Sequence, residues 1–127
     1  MIKEIVIILI ILILVTTLGV YEQKYINDNA NELIFNLNEI KSQIIEQKQD
    51  NAIKNINNVN NKWENIEGKL SILIDHEHLD NIGESITILK TGLEKNEKEN
   101  ILKEIEKTIF LLKDIQDINR IKLKNIF

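Results

Sequence analysis

Both histidines of the chain stand in Asp75-His76-Glu77-His78, with Asp80 close behind, the densest cluster of ligating groups in the sequence. Imidazole and carboxylate donors suit zinc and related ions. The spacing does not. Residues two apart on a helix point roughly 200° apart, so His76 and His78 would not close on one ion; a helical pair needs i and i+4. Only a non-helical turn would bring both inward. The segment therefore reads as a helix junction, with Asp75 capping the next helix, one histidine hydrogen-bonded in a gap and the other in solvent. No metal ligand is assigned. A metal- or ligand-binding sensor centred on Asp75, His76 and Glu77 is the alternative function this segment keeps open.

Other chemistry has less support. The chain holds no Cys, which removes thiol catalysis, thiolate metal sites and disulfides. Ser42, Ser71 and Ser85 lack a Gly-x-Ser-x-Gly frame and have no histidine at a suggestive spacing. No glycine-rich phosphate loop exists. The many carboxylates fall on solvated faces of expected helices, where pairing with lysine is routine. A net charge of −4 argues against a nucleic-acid partner. Counts of 27 Ile, 17 Asn and 15 Lys against one Arg resemble the codon usage of an AT-rich genome, so the Asn and Lys abundance carries little functional weight. No catalytic or cofactor-binding residue and no cofactor is assigned, and the chain is expected not to be an enzyme.

The elements that would carry any site are helical. With no Pro and four Gly in 127 residues, the turn residues of a sandwich or barrel are missing. Apolar residues fall at Ile26, Ala30, Leu33, Leu37, Ile40 and Ile44, in alternating steps of four and three, the stripe of an amphipathic helix. A second stripe runs Ala52, Ile56, Val59, Trp63, Ile66, Leu70 and Leu73, with Asp50 as its expected N-cap. Trp63 lies on this stripe and reads as core. A third uses Leu79, Ile82, Ile86, Leu89 and Leu93; a fourth uses Ile101, Ile105, Ile109, Leu112 and Ile115, flanked by Leu102 and Phe110. Polar breaks near 46–50 and 94–98 predict two helical hairpins. The middle junction is open to three readings: a stop at Gly68, a start at Asp75, or one kinked helix from about 50 to 94. The expected fold is all-α, an antiparallel bundle of three to four amphipathic helices behind an N-terminal transmembrane helix.

That first helix is read from Ile5–Val20, IVIILIILILVTTLGV, which carries no charge. With Tyr21 it gives 17 residues, roughly 26 Å as a helix, at the short end of a bilayer span. Tyr21 and Tyr25 follow where an aromatic belt would sit. A cleaved signal peptide would share Lys3 and a small-residue site at Thr17-Leu18-Gly19, but the run exceeds a usual h-region and leads straight into a helical pattern. Residues 1–21 are thus expected to be an uncleaved anchor contacting lipid through residues 5–21, and 22–127 an extracytoplasmic helical domain. Lys3 before the span, and Glu22, Asp28, Glu32 and Glu39 after it, favour an N-in, C-out orientation in the cell membrane.

If four helices alternate away from and toward the bilayer, the last returns to it. Its tail carries Arg120, Lys122 and Lys124 with Ile121, Leu123, Ile126 and Phe127, and no acidic residue follows Ile118. Membrane-surface contact is one reading of this tail; a final helical turn packed on the bundle is the other.

Asn61-Lys-Trp-Glu-Asn-Ile-Glu67, Leu70 through Ile82, and the ending Lys122-Leu-Lys-Asn-Ile-Phe127, together with the N-terminal span, resemble domain of unknown function 4363, an uncharacterised family of small single-span membrane proteins of Clostridia-type bacteria. The likeness covers essentially the whole chain and is most specific at Trp63 and Ile74-Asp75-His76-Glu77. Leu70 stands where the family often has a second aromatic, and His78 where it often has an acidic residue, so only His76 fits its pattern. The resemblance implies placement and architecture without a reaction, and a membrane-protein partner. The expected function is that of a non-enzymatic interaction or accessory protein on the outer face of the membrane. Pairing of stripes 26–44 or 52–73 between copies would make a homo-oligomer.

Overall fold

The computed structural model describes residues 1–126, the side chain of Ile126 excepted. Four helices follow one another: α1 (Ile2–Ile45), α2 (Gln49–Leu73), α3 (His76–Lys95) and α4 (Lys98–Ile126). Among the described residues there is no strand. Each helix packs against two others, α1 on α2 and α4, and α3 on α2 and α4, which is an up-down-up-down four-helix bundle.

The two halves of α1 differ. From Tyr25 onward its apolar stripe enters the bundle, with Ile26, Leu33, Leu37 and Ile40 fully buried. Below that, every large apolar residue from Ile5 to Val20 is exposed. α1 is long and apolar enough to cross a membrane. It carries the apolar run and the first bundle helix in one: no linker separates residue 21 from residue 22, and 44 residues make a rod of roughly 66 Å.

The other stripes pack as their spacing requires. Ala52, Ile56, Val59, Trp63, Ile66 and Leu70 of α2, all five apolar residues of the third stripe and all five of the fourth are buried in one core. At the end of α2 the register slips by one: Ile74 is buried and Leu73 only partly. Leu102 packs partly on the core, whereas Phe110 is exposed. It lies nine residues past Ile101, half a turn away from the stripe.

The chain reverses in two ways. At the α1–α2 and α3–α4 turns one residue takes the left-handed conformation, Gln47 at φ 62° and Asn96 at φ 58°. Lys48 N–H donates to Gln43 O and Glu97 N–H to Gly92 O, the six-to-one bond of a Schellman motif in both places. The α2–α3 corner is extended instead, with Ile74 at φ −132°, ψ 144° and Asp75 at φ −59°, ψ 139°. This corner resolves the middle junction: α2 runs through Gly68 and stops at Leu73, and α3 starts after Asp75. One expected cap is corrected, and the other holds its position without a side-chain bond. Asp50 lies inside α2, whose N-cap is Lys48, because the tight turn starts the helix early and Lys48 O accepts from Ala52 N–H. Asp50 there faces the positive end of the helix dipole. Asp75 occupies the N-cap position of α3, yet no side-chain cap bond forms; its carbonyl accepts from His78 and Leu79 N–H. The tail from Ile118 is the last part of α4, with Ile121 exposed and Asn119 buried. Phe127, counted above among its apolar residues, lies outside the described residues, as does the side chain of Ile126.

Candidate functional site

The α2–α3 corner carries the segment singled out by residue type. Asp75, His76 and Glu77 are exposed, while His78 is half-buried beside α4. Its Nδ1 stands 3.9 Å from Asp114 Oδ2, too far for a hydrogen bond. The expected hydrogen-bonded histidine is therefore replaced by a loose approach to a carboxylate on another helix. The two imidazoles do not converge, since the corner residues Ile74 and Asp75 are extended but His76 already begins the helix. Among the described residues no group of three or more His, Asp or Glu side chains is placed to hold a metal ion.

A second cluster at the same end of the bundle was not singled out by residue type. Lys69 of α2 reaches across to α1, its Nζ 4.2 Å from the ring centre of Tyr25 and 5.2 Å from that of Tyr21. It also donates to the Tyr21 hydroxyl at 3.3 Å. Such cation–π geometry holds an ammonium at an aromatic face. Beside it opens a cleft of about 180 Å³ lined by Leu18, Tyr21, Glu22, Tyr25, Lys69, Ile72 and Leu73. Tyr21 and Tyr25, four apart, already share a helix face in the sequence. Lys69 lies 48 residues from Tyr21, and only the hairpin register brings it there.

Near the opposite end, a cleft of about 230 Å³ opens between α3 and α4, where Thr87, Ile88, Thr91, Gly92, Asn100 and Ile101 meet. A small polar network underlies it. Ser85 Oγ and Thr108 Oγ1 are 2.5 Å apart, Ser85 donates to Glu104 Oε1 at 2.8 Å, and Thr108 donates to Glu104 O at 2.7 Å. These bonds satisfy two hydroxyls that the α3–α4 packing buries. The network holds a serine and a carboxylate, but both histidines lie at the far end of the bundle.

Trp63 is buried as its stripe position requires. Its Nε1 lacks a partner, and a Cβ added at Gly83 would stand 3.2 Å from that atom. Gly83 is where α3 leaves room for the indole. The Asn119 amide nitrogen of α4 is likewise buried without a partner among the described residues.

The chain belongs to the family described as domain of unknown function (DUF4363), whose pattern matches residues 20–126. The match begins where the apolar run ends and takes in all four stripes. No curated protein and no solved structure matches the chain.

Proposed function

We propose that this member of the DUF4363 family is a single-pass membrane protein whose helical bundle acts as a non-enzymatic interaction or accessory module on the outer face. One observation carries the reading. The apolar residues of α1 from Ile5 to Val20 remain exposed while the same helix, further on, buries an apolar stripe in a finished core. In water so large an apolar surface is unfavourable, at roughly 25 cal/mol per Å²; in a bilayer it is solvated by lipid. Lys3 ahead of the span, and the acidic excess after it, support N-in, C-out.

The interaction role draws support from what faces outward. Phe35 and Phe110 are each about two-thirds exposed, and each lies nine residues, or half a turn, from the first core residue of its stripe, Ile26 or Ile101. Exposed aromatics suit a protein partner. Here that partner is a membrane protein. Impermeant labelling tests the placement. The chain has no Cys, so Glu46→Cys at the exposed α1–α2 turn is the sole thiol. Labelling of intact cells by a membrane-impermeant maleimide is expected; labelling only after lysis would reverse the orientation. A stoichiometric membrane protein should co-purify in mild detergent, and Phe35→Ser with Phe110→Ser should weaken its recovery. Recovery of a clean monomer would remove the accessory role.

A further inference from the structure

Three chain segments meet at one end of the bundle, and their heights can be read along α1. On one side Lys62 pairs with Glu32 at 2.5 Å, and Lys69 lies over Tyr25 and Tyr21. α2 therefore comes down beside α1, and Ile72 shares a cleft with Leu18 and Tyr21. On the other side Lys41 pairs with Glu106, and Gln116 Nε2 donates to Asn31 Oδ1 and Asn27 O. Continuing that antiparallel register brings Lys122 and Lys124 beside the Tyr21–Tyr25 turn. Ile72 is 81% exposed and Ile121 59%, so two largely exposed aliphatic side chains flank the point where the apolar run of α1 ends.

Length supplies the next step. The uncharged run with Tyr21 is 17 residues, roughly 26 Å, against a hydrocarbon core of about 30 Å. A short span is met by local thinning or by flanking residues that share the interface. Because α1 has no break at residue 21, the bundle cannot stand off on a linker.

We propose that this end of the bundle, made of the last turn of α2 and the last two turns of α4, is seated in the headgroup layer of the bilayer. Ile72 and Ile121 enter the acyl boundary, and Lys69, Lys122 and Lys124 meet lipid phosphates. The inference rests on the membrane-anchored reading above and adds the docking surface. Among the described residues Lys69, Lys122 and Lys124 make no ion pair with a carboxylate, whereas Arg120 is held by Asp117. The Lys69 stem crosses the tyrosine rings as a cation does when it reaches from an apolar zone to water. Carboxylates rim the surface as well: Glu22 lines the same cleft, and Asp75 and Glu77 follow the last turn of α2 at the corner into α3. His78 faces Asp114, and α4 runs 12 residues beyond that aspartate to Ile126, roughly 18 Å.

Depth-dependent quenching of the full chain in phosphatidylcholine–phosphatidylglycerol vesicles tests this. Single cysteines replace Ile72, Ile121, Phe35 or Ile10 and carry an environment-sensitive fluorophore. A nitroxide placed near the headgroup should quench positions 72 and 121 several-fold more than position 35, which lies about 21 Å further along α1 than Tyr21. A nitroxide near the chain ends should quench position 10. Strong quenching at 10 with equal, weak quenching at 72, 121 and 35 would overturn the seating and leave the anchor standing. Absence of quenching at 10 would overturn the anchor and the seating together. In the combined variant Lys69→Gln, Lys122→Gln, Lys124→Gln, headgroup quenching at 72 should fall by about twofold or more, since each surface cation favours the membrane by roughly fivefold. Unchanged quenching there would overturn the phosphate contacts.

Discussion

The two halves of α1 share isoleucine and leucine but differ in what stands between them. Isoleucine and leucine dominate Ile5–Val20 on every side, whereas from Ile26 to Ile44 they recur only every third or fourth position. The second half finds two helices, α2 and α4, to cover its stripe, whereas the large apolar residues of the first half stay exposed. Composition separates them, Ile5–Val20 carrying no charge, and angular distribution tells what each surface needs: a stripe asks for a protein neighbour, an apolar cylinder for lipid. The helix stays continuous because nothing between Val20 and Ile26 breaks it, with no Pro in the chain and only Gly19 near the junction.

The widest separation of the halves should come from truncating a leucine in each. Leu37→Ala removes a fully buried side chain and should cost about 2–5 kcal/mol of bundle stability, seen as a lower denaturation midpoint by circular dichroism. Leu12→Ala, in the exposed half, should leave that midpoint within about 0.5 kcal/mol. Equal losses would erase the distinction.

A charge sharpens it from the other side. Leu12→Arg should disfavour insertion by about 2.5–3.5 kcal/mol, read as a smaller glycosylated fraction in an in vitro insertion assay with an acceptor site at the α1–α2 turn. Phe35→Arg, equally exposed but above the junction, should not change it.

How α1 ends offers a smaller effect. Gln47 holds φ 62°, a conformation costing a non-glycine residue roughly 1–2 kcal/mol. Gln47→Gly should raise bundle stability by about 0.5–1 kcal/mol in a urea melt. Asn96→Gly should gain less, because asparagine tolerates the left-handed region. A loss at Gln47 would place its value in side-chain contacts rather than in the turn. The smallest effect is expected at Lys41, half-exposed and paired with Glu106 at 2.6 Å. Lys41→Ala should cost under about 1 kcal/mol, and the loss should shrink with salt in the same melt.

The bundle was readable wherever period decides structure. Every residue of the first, third and fourth stripes is buried, and of the second all but Leu73, which is partly covered. The stripes say which face turns inward but not how one helix sits along another. Register brings Lys69 to the tyrosines and Ser85 to Thr108 and Glu104, and it depends on turns whose shape is set by a few bonds. The caps were illegible for a related reason: Asp50 and Asp75 have the right chemistry, but the tight turn at Gln47 and the extended corner at Ile74 fixed each start without their side chains. His76 and His78 both lie in the first turn of α3, where residues two apart diverge.

The central claim is that the exposed half of α1 is a retained anchor. Intact-mass spectrometry of the chain recovered from alkaline-carbonate-washed membranes of cells producing it tests this most directly. The account predicts the full-length mass, residues 1–127, in the washed pellet. A shorter chain lacking the apolar run, recovered in the soluble fraction, would contradict it.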